Sequence, residues 1–113
     1  MHEYAITESM IDIAVEEAEK AGGRSIMSIK LIIGDLSSIM DESVQMYFDI
    51  ISNGTLAEGA KLEFKRVRAA LKCKACGYEF DKPDRGFECP LCGDTGSLTG
   101  KGSEFYIESI EIE

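Results

Sequence analysis

From Ile6 to Ala21 the apolar residues Ile6, Met10, Ile13, Ala14 and Ala18 recur at three- and four-residue steps, with Glu8, Asp12, Glu16, Glu17, Glu19 and Lys20 between them. That spacing predicts an amphipathic helix with one stripe turned toward a core. Gly22-Gly23 ends it, because glycine accepts the left-handed geometry of a helix C-terminus. Ile29, Leu31 and Ile33 then alternate with Ser28, Lys30 and Ile32, the period of a strand, and Gly34-Asp35 closes the run. Asp41 is the expected N-cap of a second helix, in which Val44, Tyr47, Phe48 and Ile51 form the apolar stripe and Asn53-Gly54 the stop. Leu62 and Phe64 mark a second strand. Phe105, Ile107, Ile110 and Ile112 mark a last one, and the step from Ile107 to Ile110 breaks the alternation and predicts a bulge.

Between Leu71 and Thr99 the pattern changes. This stretch holds all four cysteines and both prolines and has few aliphatic residues, so it reads as an excursion between two strands that cannot build a core of its own. Something covalent or metallic has to organise it. The expected fold class is therefore α+β: a small mixed β-sheet with two helices on one side, plus a zinc-ribbon-like four-cysteine domain inserted between strands. The expected division is 1–69 with 100–113 as one domain and 70–99 as the other. Met10, Met27, Met40 and Met46 fall in or beside apolar segments and are expected in the core.

Cys73-Lys-Ala-Cys76-Gly and Cys89-Pro-Leu-Cys92-Gly are two copies of C-x-x-C-G separated by twelve residues. A two-residue spacing aims both sulfurs of a tight turn at one ion, and Gly77 and Gly93 permit backbone geometry that points amides at the thiolates. Four thiolates in a tetrahedron make a closed structural zinc site with no position open to substrate. A rubredoxin-like iron centre uses the same knuckles, and ligand type alone does not separate the two metals. A disulfide pair is disfavoured in a chain expected in the cytoplasm, and a redox C-x-x-C leaves the second copy and its matching glycine unexplained.

The chain has 113 residues, enough for one domain with a small appendage, and its 44% hydrophobic and 29% charged content is that of a folded globular protein. No apolar run is long enough to cross a bilayer and the start lacks a secretory pattern, which points to the cytoplasm and away from a membrane partner. The net charge of −9 opposes general adhesion to nucleic acid or anionic lipid. Against that background Lys61, Lys65, Arg66, Arg68, Lys72 and Lys74 form a local basic stripe, either a docking patch or a solvated strand edge. A zinc-ribbon module that binds nucleic acid or a transcription complex is the alternative function this stripe supports. An enzyme is not expected: no Ser/His/Asp set, phosphate-binding glycine loop or catalytic metal motif is present.

His2 is the only histidine. A lone histidine is ordinarily a surface residue with no task. At this position, however, the α-amine of Met1, the amide of His2 and the His2 imidazole can close a five-membered and a six-membered chelate ring on one ion, with Glu3 as a further donor. Planar nitrogen ligation suits Ni(II) or Cu(II) better than zinc.

The start Met1-His2-Glu3, the helix after it, the two cysteine pairs at this separation and the ending Gly102-Ser103-Glu104-Phe105-Tyr106-Ile107-Glu108-Ser109-Ile110-Glu111 together resemble the HypA/HybF family of nickel chaperones for hydrogenase maturation. The likeness spans the whole chain. It implies Ni(II) held by Met1, His2 and Glu3, structural Zn(II) held by Cys73, Cys76, Cys89 and Cys92, and transfer of nickel, with a HypB-type GTPase, to the large subunit of [NiFe]-hydrogenase. Two features depart from the family pattern: no further histidine stands near the zinc loop, and Ile6 occupies a position where leucine is frequent. Association of two copies of the chain, and service to urease as well, stay open.

Overall fold

The computed structural model describes residues 2–113, with His2 described by its main chain alone. Two small sheets organise the chain. The first has the order β2-β1-β6, built from β1 (Ile26–Gly34), β2 (Lys61–Val67) and β6 (Phe105–Ile112). β1 runs parallel to β2 and antiparallel to β6, so the sheet is mixed. Helices α1 (His2–Lys20) and α2 (Asp41–Ile51) cover one face of it. The second sheet is antiparallel, in the order β4-β3-β5, from β3 (Ala70–Cys73), β4 (Glu79–Asp81) and β5 (Gly96–Leu98). It is inserted between β2 and β6, as the excursion in the sequence implies.

The radius of gyration is 17.6 Å and the molecule measures 54 × 27 × 17 Å. A single compact domain of this length would have a radius near ~13 Å. The extra length reflects the second sheet extending the molecule beyond the first.

Ile29, Leu31 and Ile33 of β1 are fully buried and meet Met10, Ile11, Ala14 and Ala18 of α1 and Val44 and Phe48 of α2 in one core. Each such aliphatic or aromatic side chain contributes about 1.5–3 kcal/mol by leaving water. The C-terminus of α1 closes as a Schellman turn: the Gly23 N–H donates to the Ala18 carbonyl at 2.9 Å, the Gly22 N–H to that of Glu19 at 3.0 Å, and Gly22 sits at φ +74°. The predicted bulge lies in β6 at Glu108, where the register against β1 shifts between the pairs Lys30–Ser109 and Leu31–Ile107.

Four expectations need correction. The stripe of α1 is rotated: Ile13 is 53% exposed, and Thr7 and Ile11 take its place inside. The helix begins at His2, a full turn before Ile6; Tyr4 meets Tyr47 of α2 edge to face at 5.3 Å, which anchors that first turn. Asp41 is the first residue of α2 and its carboxylate makes no cap, because it accepts a hydrogen bond from Arg66 Nη1 at 3.1 Å instead; Met40 is the N-cap. Of the four methionines expected inside, only Met10 is buried, and Met27, Met40 and Met46 are each more than half exposed.

The two sheets meet where main chains approach closely. The Gly34 N–H donates to the Glu104 carbonyl and the Leu36 N–H to the Gly102 carbonyl, both at 2.7 Å. Gly102, at φ +108°, lies so close to Ala69 that a Cβ on it would stand 2.7 Å from the Ala69 Cα. Arg66 braces the neighbouring turn through Asp35 Oδ1 at 3.2 Å, the Ile39 carbonyl at 3.0 Å and Asp41.

Candidate metal centre

Cys73 ends β3, Cys76 follows in the turn, and Cys89 and Cys92 occupy a second turn beside the bridge between Glu88 and Thr95. The two knuckles fold alike. In the first, the Cys73 N–H donates to the Tyr78 carbonyl at 2.9 Å and the Gly77 N–H to the Cys73 carbonyl at 3.1 Å. In the second, the Cys89 N–H donates to the Asp94 carbonyl at 2.7 Å and the Gly93 N–H to the Cys89 carbonyl at 2.9 Å. Gly77 and Gly93 take φ of +75° and +79°, the left-handed geometry that the matching C-x-x-C-G copies call for.

The repeat of main-chain bonds brings four sulfurs to one point, all within 4.8 Å of one another. Cys73 Sγ lies 3.4 Å from Cys92 Sγ and Cys76 Sγ lies 3.7 Å from Cys89 Sγ. Zinc–sulfur bonds of about 2.3 Å in a tetrahedron require edges of about 3.8 Å, so the donor set fits zinc with little adjustment. The Cys76 amide approaches Cys73 Sγ at 3.5 Å and the Leu91 amide approaches Cys89 Sγ at 3.4 Å. Cys73 and Cys89 are buried; Cys76 and Cys92 are exposed.

The electrostatics follow from crowding thiols. The Cys76 amide, outweighing burial, holds the Cys73 thiol down at about 6. For Cys92 the Asp94 amide favours the thiolate, but Cys73, burial and the other two sulfurs together push it up to about 12. Cys76 is likewise raised, with the Tyr78 amide outweighed by burial and by the Cys73 and Cys89 sulfurs. A cluster that resists holding four negative charges together is one that a divalent cation stabilises.

Around the cluster Phe80 lies over Gly96, whose missing side chain leaves room for the ring, and Leu71 is fully buried beside it. Tyr78 stacks on Phe80 with ring centres 6.1 Å apart, and the Lys82 ammonium stands 5.0 Å above the Phe87 ring. These aromatics pack the lobe, although Tyr78 and Phe87 stay partly exposed.

Of the predicted nickel residues, Glu3 lies in the first turn of α1, where its carbonyl accepts a hydrogen bond from the buried Thr7 hydroxyl. Met1 and the His2 side chain lie outside the described residues. The basic stripe is partly engaged within the protein: Arg66 pairs with Asp35 and Asp41, and Arg68 with Asp84 at 3.3 Å.

A family model described as hydrogenase/urease nickel incorporation, metallochaperone, hypA, matches residues 1–112. The chain belongs to the HypA family. A hydrogenase maturation factor HypA of Caldanaerobacter subterraneus subsp. tengcongensis is 49% identical over 114 residues, with the whole of both chains covered. One of Dehalococcoides mccartyi is 42% identical, covering 100% of this chain and 95% of that one. Among solved structures, the solution structure of a HypA protein superposes with a TM-score of 0.73 at 25% identity, covering 100% of this chain and 97% of that one. The solution structure of the Ni metallochaperone HypA from Helicobacter pylori gives 0.65 at 24% identity, covering 97% and 96%, and shares the fold. Family membership makes this chain a metallochaperone for nickel incorporation and a maturation factor, and its four cysteines form a donor group of the kind that holds structural zinc. No helix among the described residues is long and apolar enough to cross a membrane.

Proposed function

We propose that this chain binds Ni(II) at its N-terminus through the Met1 amine, the His2 amide and imidazole and a donor from Glu3, and passes it, with a HypB-type GTPase, to the large subunit of [NiFe]-hydrogenase in the cytoplasm. The observation that carries this reading is the match of a nickel-incorporation family over residues 1–112, joined to the Met1-His2-Glu3 start. The two lobes divide the work at residues 1–69 with 100–113 and residues 70–99.

Two physical features support the assignment. Because α1 begins at His2, the first main-chain N–H groups have no acceptor within the helix, so recruiting one as a deprotonated ligand breaks no hydrogen bond of the fold. Tyr4 on Tyr47 and the Thr7–Glu3 bond hold that turn in place. Transfer needs no bond chemistry: protonation of imidazole and amine, or stepwise displacement by donors of the acceptor, releases the ion. Zinc keeps the second lobe folded and readable by partners.

The test is nickel titration of untagged, zinc-loaded protein by calorimetry and ultraviolet absorption, beside His2→Ala and a chain with one residue added before Met1. Binding of one nickel per chain that both changes abolish is expected. Binding indifferent to both overturns the N-terminal site.

A further inference from the structure

The two edges of the first sheet differ in a way the metal sites do not explain. β2, one edge, carries Lys61, Lys65 and Arg66, the charges that discourage strand addition. β6, the other, reads Phe-Tyr-Ile-Glu-Ser-Ile-Glu-Ile, with neither lysine nor proline. The bond from the Gly34 N–H to the Glu104 carbonyl sets the phase of the ladder, so that Tyr106 faces β1 and the main-chain groups of Phe105 and Ile107 face outward.

Beside this stretch of edge lies an apolar groove of about 510 Å³, floored by Ile6, Met10, Ile13, Phe105, Tyr106 and Ile107. Ile13 and Tyr106 are each more than half exposed, and this groove explains why the α1 stripe is rotated: the Ile13 side chain lies over the groove rather than in the core. The surroundings carry a net acidic charge. Asp12 and Glu16 stand one and two turns along α1 from Ser9, and Glu104 and Glu108 flank Phe105–Ile107 on β6. Lys20 pairs with Glu16 at 3.3 Å and Lys30 with Glu108 at 3.2 Å, exposed pairs that an incoming basic chain can displace at little cost, while the Glu104 carboxylate also accepts from the Gly102 N–H. A second copy presenting its own β6 would bring glutamates against glutamates, so self-pairing here is opposed.

We propose that the β6 edge and this groove dock an extended segment of a partner protein whose side chains alternate between apolar and basic. The segment adds as a fourth strand, its apolar residues entering the groove and its lysines or arginines meeting the acidic surroundings. Ala5 and Ile6 stand one helical turn beyond His2, so the docked partner lies next to the N-terminus of α1. Resting on the nickel reading above, this surface is where a component of the insertion machinery takes hold beside the cargo.

The test uses zinc-loaded, ¹⁵N-labelled full chain and a short synthetic peptide alternating isoleucine and lysine, with a glutamate-for-lysine peptide as control. Expected are amide shifts confined to Phe105–Ile107 and Ala5–Ile13, slowed hydrogen exchange at Phe105 and Ile107, no binding of the glutamate peptide, and roughly tenfold weaker binding to Ile13→Asp. Shifts on the zinc lobe, undiminished binding to Ile13→Asp, or groove shifts without slowed exchange overturn strand addition here. Groove amides that move on simple dilution show a second copy as the occupant and overturn it too. Nickel titration of Ile13→Asp runs in parallel. Full nickel binding with lost peptide binding separates docking from the metal site, and wild type that takes no nickel defeats the chaperone reading while leaving the peptide result standing.

Discussion

Gly34 and Gly102 meet main chain to main chain at the junction of the two sheets, so closely that a methyl group on Gly34 would fall on the Gly102 carbonyl and the Ser103 nitrogen. Neither obstacle is a side chain that can turn away. Gly34→Ala should therefore destabilise by about 3 kcal/mol, the upper end for overpacking, and lower Tm by more than about 10 °C in thermal circular dichroism. Gly22→Ala provides the contrast, since a Cβ there meets nothing and only the positive φ is strained. Its cost should be about 1 kcal/mol.

Cys73→Ser and Cys92→Ser should each lose zinc, read as metal per chain by mass spectrometry, and lose dispersed amide signals for residues 70–99. Signals from α1, α2 and β1 should persist, because their core is separate from the cysteine lobe. Chelation of zinc from the wild type should produce the same selective loss, since metal affinity of about 10–16 kcal/mol in small zinc modules is folding energy of the module itself. Full zinc content in either variant would contradict the ligand assignment.

Arg66 is a bracket rather than a docking charge. Its guanidinium joins Asp35, the Ile39 carbonyl and Asp41, all at the surface or near it. Arg66→Ala should cost about 1–2 kcal/mol in urea unfolding, discounted for partial exposure of the ion pairs. Lysine should not restore it, because one ammonium cannot replace a planar fork reaching three acceptors.

Phe48 of α2 is 1% exposed in the core that α2 shares with α1 and β1. Phe48→Ala should remove about 3–5 kcal/mol through lost burial and a residual cavity. Zinc content should be unchanged.

The elements that repeat are legible in the sequence. Two helices, the β1 alternation, the Gly22-Gly23 stop, the β6 bulge and the doubled C-x-x-C-G all rest on local periodicity or on ligand spacing, and local rules suffice for them. What escaped depends on partners distant in sequence. Asp41 looked like a cap because its neighbours are helical, but Arg66, 25 residues away, claims its carboxylate. Ile13 fits the helical stripe as well as Ile11 does, and only the position of β6 decides which of them faces the core. Met27, Met40 and Met46 are apolar beside apolar neighbours, yet a three-stranded layer has too little interior to hold them. The Gly34–Gly102 approach joins residues that no pattern within a window relates. The four-sulfur cluster was legible in full, because both halves of each knuckle lie within a single short turn.

β6 pairs with β1 across the whole inserted lobe, and this orders events during synthesis. The first sheet stays incomplete until the β6 residues from Phe105 onward have emerged, by which time all four cysteines have been available to metal. Once the lobe has closed, Ala70 and Thr99 are tied by the Thr99 N–H to the Ala70 carbonyl at 3.1 Å, and that shortcut removes the excursion from the loop β6 must close. The gain in closure entropy is only some tenths of a kcal/mol, since it grows with the logarithm of length. Its larger effect is on sequence of assembly: in a zinc-starved chain β6 should still reach β1 and close the first sheet, but around an open excursion of residues 70–99 that is exposed to proteases while the rest of the chain is already folded.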